Sequence, residues 1–174
     1  MRMPIYKLKL VRSGWFEFPP IALEHPQLAA HFFHRLIGQA VVEHSAAIFL
    51  DPLGQPTGLT IIGMGDLARI PVVAREVFKA AILANASGLI FSHNHPAPSS
   101  SKPSPQDIRV TRRLISAGRI LGLHLLDHII VTPSGADFTS MREAGLLESP
   151  WWPEMGEQRA PSASAVPQST PTNS

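Results

Sequence analysis

The sequence predicts one α/β domain with its sheet covered by helices, and three observations predict it. Strand-like and helix-like segments alternate along the chain. Apolar runs such as Ile129-Ile130-Val131 lack the alternation of a strand with one wet face, so they belong to buried strands. The length, 174 residues with 44% hydrophobic, suits one ordinary core.

The elements follow in order. Ile5-Tyr6-Lys7-Leu8-Lys9-Leu10-Val11-Arg12 alternates apolar and basic side chains with period two, the pattern of a half-exposed strand. Behind Pro26, Leu28, Phe32 and Leu36 with Ala29, Phe33 and Ile37 have helical spacing, and Gly38 is a natural stop. Ser45–Leu50 and Thr57–Met64 read as strands joined by the turn Asp51-Pro52-Leu53-Gly54, which predicts a hairpin. A second helix runs from about Val72 to Ala84, followed by a short buried strand over Gly88–Ser92. After a Pro and Ser loop, Val110, Leu114, Ala117 and Leu121 mark a third helix, and His124–Val131 is another buried strand. Internal repeats are absent, and strand order does not follow from the pattern.

Composition narrows the function classes. With no Cys, disulfide scaffolds, thiol catalysis, iron-sulfur clusters and Cys-based zinc sites are excluded, leaving His and carboxylates as strong metal ligands. The longest apolar runs, such as Ala46–Leu50 and Ala80–Leu83, fall far short of the roughly 20 residues that span a bilayer. Basic Arg2, Lys7 and Lys9 interrupt the N-terminal apolar residues, so a secretory leader is not expected and the chain is read as cytoplasmic.

Residues 148–174 form a distinct tail with 5 of the 17 Pro, 5 Ser and one basic residue, Arg159. Such a segment buries too little apolar surface to offset its ordering entropy, so disorder is expected there. The domain is then residues 1–147, with 14 Lys and Arg against 10 Asp and Glu. A net charge of +4 against +2 for the whole chain does not by itself indicate a nucleic-acid partner. Trp151 and Trp152 either anchor the start of the tail on the domain or form a short partner-binding motif.

The chemistry concentrates between Phe91 and Asp107. His93 and His95 stand at i and i+2 at the end of an extended segment, so their side chains project to one side and can chelate one ion. Zinc accepts imidazole nitrogen and carboxylate oxygen, and its catalytic sites use three protein ligands with a fourth position for water. Asp107 is the obvious third ligand. It has another use as well: Ser104-Pro105-Gln106-Asp107 fits a helix start, with Ser104 as N-cap and Asp107 closing a capping box.

These residues resemble the JAB/MPN metalloprotease domain and, within it, the RadC-like branch. The resemblance spans about residues 5–147. It is carried by Ser92-His93-Asn94-His95-Pro96, the Ser104-x-x-Asp107 helix start with Ile108-Arg109, and Leu126-Asp127-His128-Ile129-Ile130-Val131. It implies a single JAB/MPN domain of cytidine-deaminase-like architecture, a mixed sheet flanked by helices. It also implies one zinc per chain on His93, His95 and Asp107, with Ser104 a polar group near the reacting carbonyl. The family's upstream Glu maps onto Glu43, in the segment Glu43-His44-Ser45-Ala46-Ala47-Ile48-Phe49-Leu50-Asp51. A carboxylate off the metal suits the proton transfers of hydrolysis, taking a proton from water and returning it to the leaving amine.

Three departures from the family pattern stand out. The loop from Pro96 to Pro103 is one residue longer than usual, at little entropic cost. Pro96-Ala97-Pro98 replaces a more flexible Pro-Ser-Gly. The helix-hairpin-helix domain that RadC-like proteins carry ahead of this one has no counterpart in these 174 residues, so DNA binding attributed to it is not expected of them.

His31 and His34 read as surface or boundary residues, and His44 faces away from Glu43 on a regular strand. At most one of Asp127 and His128 can reach the site, since neighbours on a strand point apart. Both read first as structural, with Asp127 a candidate partner to orient a ligand His.

The leading expectation is a zinc-dependent metallohydrolase, a peptidase or isopeptidase with Glu43 as proton shuttle, acting on a peptide or protein substrate. The alternative is a non-catalytic DNA-associated accessory module of DNA repair, its phosphate contacts made by Arg109, Arg112 and Arg113 on one helix face.

Overall fold

The least polar stretches of the chain form the centre of the sheet. In the computed structural model, which describes residues 3–7, 9–18, 23, 25–65, 74–96 and 100–147, strand β3 (Gly88–Asn94) is buried along its whole length. Beside it, β1 (His44–Leu50) is buried at every position after His44. Strands β2 (Pro56–Met64), β4 (His124–Val131) and β5 (Phe138–Ser140) complete a five-stranded mixed sheet of order β2-β1-β3-β4-β5. β1 runs antiparallel to β2 and β3, β3 and β4 are parallel, and β5 returns antiparallel to β4.

Period-two alternation divides the sheet into two cores. Ala46, Ile48, Leu50, Ile90, Ile129 and Val131 face α1 (Pro26–Phe33), which contributes Ala29, Phe32 and Phe33. Ala47, Phe49, Leu89 and Phe91 face α2 (Ala74–Leu83) and α3 (Pro105–Leu121), which contribute Val77, Phe78, Ala81, Val110 and Leu114. The parallel pair β3 and β4 requires a crossover, and α3 supplies it. It ends at Gly122, left-handed at φ 68°, a conformation that glycine adopts without a Cβ penalty.

The hairpin, the helix beginning at Pro26, the third helix and the buried strands lie where the sequence pattern puts them. The first helix continues into a π-helical turn over His34–Gly38 and stops there. The second helix is described from Ala74, its predicted start at Val72 lying outside the described residues. The buried strand before the loop runs two residues beyond Ser92, to Asn94, and so carries His93 within the sheet. The short β5 had no sequence signal, since three residues are too few to show a period.

One expected element is absent. The described residues between Ile5 and Arg12 form no strand, and Ile5, Tyr6 and Val11 are almost wholly exposed. Alternation prepares two faces but does not supply a hydrogen-bonded neighbour, and the sheet edges are β2 and β5. The segment docks further along instead, where Phe16 and Phe18 meet Phe32 with ring centroids 6.5 and 4.1 Å apart and Arg35 lies over Phe16. The tail from 148, with Trp151 and Trp152, and the loop residues Ala97 and Pro98 lie outside the described residues.

Candidate metal centre

Strand β3 points Leu89, Phe91 and His93 toward α3, and the turn after it returns His95 to the same side. The loop then delivers Ser104 as N-cap of α3, about two turns before Thr111 enters the same buried layer. Three side chains converge as a result. His93 Nε2 lies 3.2 Å from His95 Nε2 and 3.2 Å from Asp107 Oδ1. One ligand atom from each of His93, His95 and Asp107 falls within 4.8 Å of the others, the one such group among the described residues.

These separations fit a tetrahedral ion. Zinc-nitrogen bonds of about 2.0–2.1 Å place neighbouring ligand atoms about 3.3 Å apart in a tetrahedron. The donor set is complementary too. His95 Nδ1 is 3.0 Å from the carbonyl of Ser100, which can only accept, so in the neutral ring Nδ1 carries the hydrogen and Nε2 is a bare lone pair. That lone pair meets a carboxylate at 3.8 Å, an arrangement that calls for positive charge between them.

Asp107 closes the capping box and also faces the two histidines. Its Oδ2 accepts from the Ser104 backbone N–H at 2.7 Å, and its own N–H donates to Ser104 Oγ at 3.2 Å, which completes the capping box. Its Oδ1 is the oxygen turned to His93. Burial raises the Asp107 pKa, but the facing His93 and His95 imidazoles and the Ser104 hydrogen bond outweigh it and hold the carboxyl far below the usual range. The facing Asp107 carboxylate raises the His95 pKa against burial, with smaller support from the charge of Glu43. Glu43 itself is half-buried, immediately before β1, and its field reaches the site from there.

Asn94, the residue between the two ligand candidates, points through the sheet to the other side. Its Oδ1 accepts from the His44 N–H at 2.6 Å, and its Nδ2 donates to Ala40 O at 3.1 Å and Val42 O at 3.4 Å. It thereby clamps residues 40–44, the segment that carries Glu43, to the strand that carries His93. His44 turns its Nδ1 back to Val42 O.

Of the Asp127-His128 pair one residue reaches the site, and it is His128. Asp127 faces away from the site: it accepts from the N–H groups of His128 and Arg142 at 2.7 and 3.0 Å and from Ser140 Oγ at 2.5 Å, bracing the turn after β5. It does not orient a ligand His. The reason is the register, since β4 sets His128 and Phe91 side by side and so turns His128 to the face of His93. His128 Nε2 lies 2.7 Å from His93 Nδ1, and its Nδ1 lies 2.6 Å from Thr111 Oγ1. Complete burial lowers the His128 pKa well below the ordinary value, with the charge of His93 acting in the same direction. A histidine directly before the apolar run Ile129-Ile130-Val131 of a buried strand was the available signal for it.

Ser101 was also missed. It ties the loop before α3 to β5, with its N–H and Oγ donating to the Asp137 carboxylate at 3.0 and 2.7 Å. His34, half-buried, contacts Pro133 O and Gln39, while His31 is exposed. Arg109, Arg112 and Arg113 are exposed on α3, and the Arg109 guanidinium donates to Gln106 Oε1.

Known proteins carry the same arrangement of sequence. The family model RadC, described as a RadC-like JAB domain, matches residues 23–146. UPF0758 protein STH371 of Symbiobacterium thermophilum is 36% identical over 127 residues, covering 73% of this chain and 53% of that protein. A UPF0758 protein of Finegoldia magna is 40% identical over 122 residues, 70% of this chain and 53% of its own length. One from Syntrophomonas wolfei is 39% identical over 105 residues, 60% and 43% respectively. The chain spans about half the length of the curated relatives it matches. The match runs from just before α1 to the end of the turn after β5, taking in every strand, both cores and the His93, His95 and Asp107 cluster; the chain belongs to the RadC-like JAB domain family.

Proposed function

We propose that the domain is a zinc-dependent hydrolase of amide or isopeptide bonds in a peptide or protein substrate, with His93, His95 and Asp107 as the metal ligands. The observation that carries this reading is the convergence of two imidazole nitrogens and one carboxylate oxygen at tetrahedral spacing, on a rigid strand end and a capped helix start. When bound, such an ion supplies Lewis acidity that polarises a carbonyl and makes water acidic enough to attack near neutral pH.

The remaining steps belong to side chains. Glu43 is outside the ligand cluster and close enough for its charge to act on His95, as a base needs. It takes the proton of the attacking water and gives it to the leaving nitrogen. Ser104 uses its oxygen as the helix cap, and its hydroxyl proton donates to the developing oxyanion. The extra loop residue leaves the cluster intact because Ser101 pins the loop to Asp137.

The test separates ligand from base. Wild type is expected to hold about one zinc per chain, and His95→Ala to lose it. Glu43→Gln should keep its zinc while hydrolysis of peptide or isopeptide substrates falls by roughly 10² or more. A fully active Glu43→Gln, or equal metal in wild type and His95→Ala, refutes the assignment. The exposed Arg109, Arg112 and Arg113 face supports the second reading, a DNA-associated module; phosphate binding there would weaken steeply with salt, while chelator-sensitive hydrolysis would not.

A further inference from the structure

We propose that His128 and Thr111 are positioning residues that select the ring tautomer of His93, presenting Nε2 as a bare lone pair to an incoming transition-metal cation. The inference rests on the metal-site reading above.

It follows from counting protons along one hydrogen-bonded line. His93 Nδ1 and His128 Nε2 are 2.7 Å apart, so one hydrogen lies between them and one of the two nitrogens must accept. His128 Nδ1 and Thr111 Oγ1, 2.6 Å apart, likewise share one. Two directions satisfy both links. In the first, Thr111 donates to His128, His128 donates to His93, and His93 is left with hydrogen on Nε2 facing Asp107. A ring in that state cannot ligate through Nε2. In the second, His93 donates to His128, His128 donates to Thr111, and His93 Nε2 is bare.

Thr111 decides between them. Its other two neighbours, Asp107 O at 2.7 Å and Met141 Sδ at 3.2 Å, can only accept. The carbonyl four residues back is the ordinary acceptor for a helical Thr hydroxyl. With its single hydrogen directed there, Thr111 Oγ1 must accept from His128, and the line runs in the second direction. His93, His128 and Thr111 are all fully buried, so water cannot replace a missing partner. The tautomer of a ligand His is normally set by the hydrogen bond at its other ring nitrogen. Here that partner is a second, neutral histidine, itself oriented by a helical hydroxyl. This accounts for His128 and Thr111 as polar residues in an otherwise apolar layer between β4 and α3.

The experiment uses the full chain, wild type and the pair Thr111→Val and Thr111→Ser. Zinc affinity is measured by chelator competition, and ring tautomers by nitrogen-15 NMR of the metal-free protein at a pH where the rings are neutral. Wild type should show His93 with hydrogen on Nδ1. Thr111→Val should shift His93 toward hydrogen on Nε2 and lose about 10- to 100-fold in zinc affinity. Thr111→Ser, which restores the hydroxyl, should recover both. An unchanged His93 tautomer in Thr111→Val, or unchanged zinc affinity, overturns the proposal. Should Thr111→Val fail to fold, the wild-type spectrum decides alone, because hydrogen on His93 Nε2 there overturns it. If wild type binds no zinc, the metal-site reading fails by itself, and the tautomer shift still decides the role of Thr111.

Discussion

Replacing Asn94 with Ala removes three hydrogen bonds from a fully buried side chain, with donor-acceptor distances of 2.6, 3.1 and 3.4 Å. Ala40 is half-buried and Val42 exposed, so their carbonyls can turn to water, whereas the half-buried His44 N–H loses its acceptor. At about 1 kcal/mol per bond the expected loss is about 2–3 kcal/mol. With a urea m-value of about 1.5–2 kcal/mol/M, the unfolding midpoint falls by roughly 1–2 M. Asn94→Asp is a sharper probe. Its carboxylate keeps the His44 contact but turns a second acceptor toward the two carbonyls that Nδ2 served. It should therefore be less stable than Asn94→Ala at neutral pH and recover on acidification, when the protonated carboxyl can donate. Both variants should retain zinc, since Asn94 faces away from His93 and His95. A midpoint shift under about 0.3 M for Asn94→Ala would show that residues 40–44 are held by something other than this clamp.

Three further expectations are testable in the same way. Gly118 lies inside α3, where Ala normally stabilises by up to about 1 kcal/mol, yet a Cβ there would strike the Leu123 backbone carbonyl; Gly118→Ala should destabilise by about 1–3 kcal/mol, and a gain in thermal midpoint would contradict the packing. Ser92 Oγ is the one buried side-chain polar atom among the described residues with no hydrogen-bond partner, so Ser92→Ala should be neutral or stabilising by up to about 1 kcal/mol; a clear loss would reveal a hidden partner. Burial raises the Asp127 pKa against the hydrogen bonds from Ser140, Arg142 and His128, so its contribution to stability is fullest below the unfolded value of about 3.9 and is lost as pH rises through the folded value. Urea titrations from pH 4 to 7 should therefore show wild type losing stability relative to Asp127→Asn; a difference independent of pH would mean that Asp127 titrates normally.

Patterning made most of the fold legible because each core strand carries a continuous apolar run, such as Ala46–Leu50, Leu89–Phe91 and Ile129–Val131. β1, β3 and β4 are long enough to show their type, and Ser104-Pro105 marks the α3 start to the residue. Ile5–Arg12 failed for a physical reason: strand propensity is local, but a strand exists only when an edge accepts it. The ligand cluster was legible because His93, His95 and Asp107 lie within 15 residues of one another. Asn94, Thr111 and His128 were not, since their roles depend on the antiparallel register of β1 with β3 and the parallel register of β3 with β4. As a candidate partner for a ligand His, Asp127 is the usual chemical type, but the strand phase turns it to the other face, where its role is structural.

The split between local and distant parts of the site has a consequence for assembly. All three ligand candidates belong to one β-loop-α unit, whereas Glu43 arrives only when β1 zips against β3 and pairs Ser45 with His93. Loop closure over 15 residues is faster and entropically cheaper than closure over some 50. On the proposed assignment, a nascent or partly unfolded chain would bring its cation ligands together before it has a base. The proposed hydrolysis would then become available only with the completed sheet.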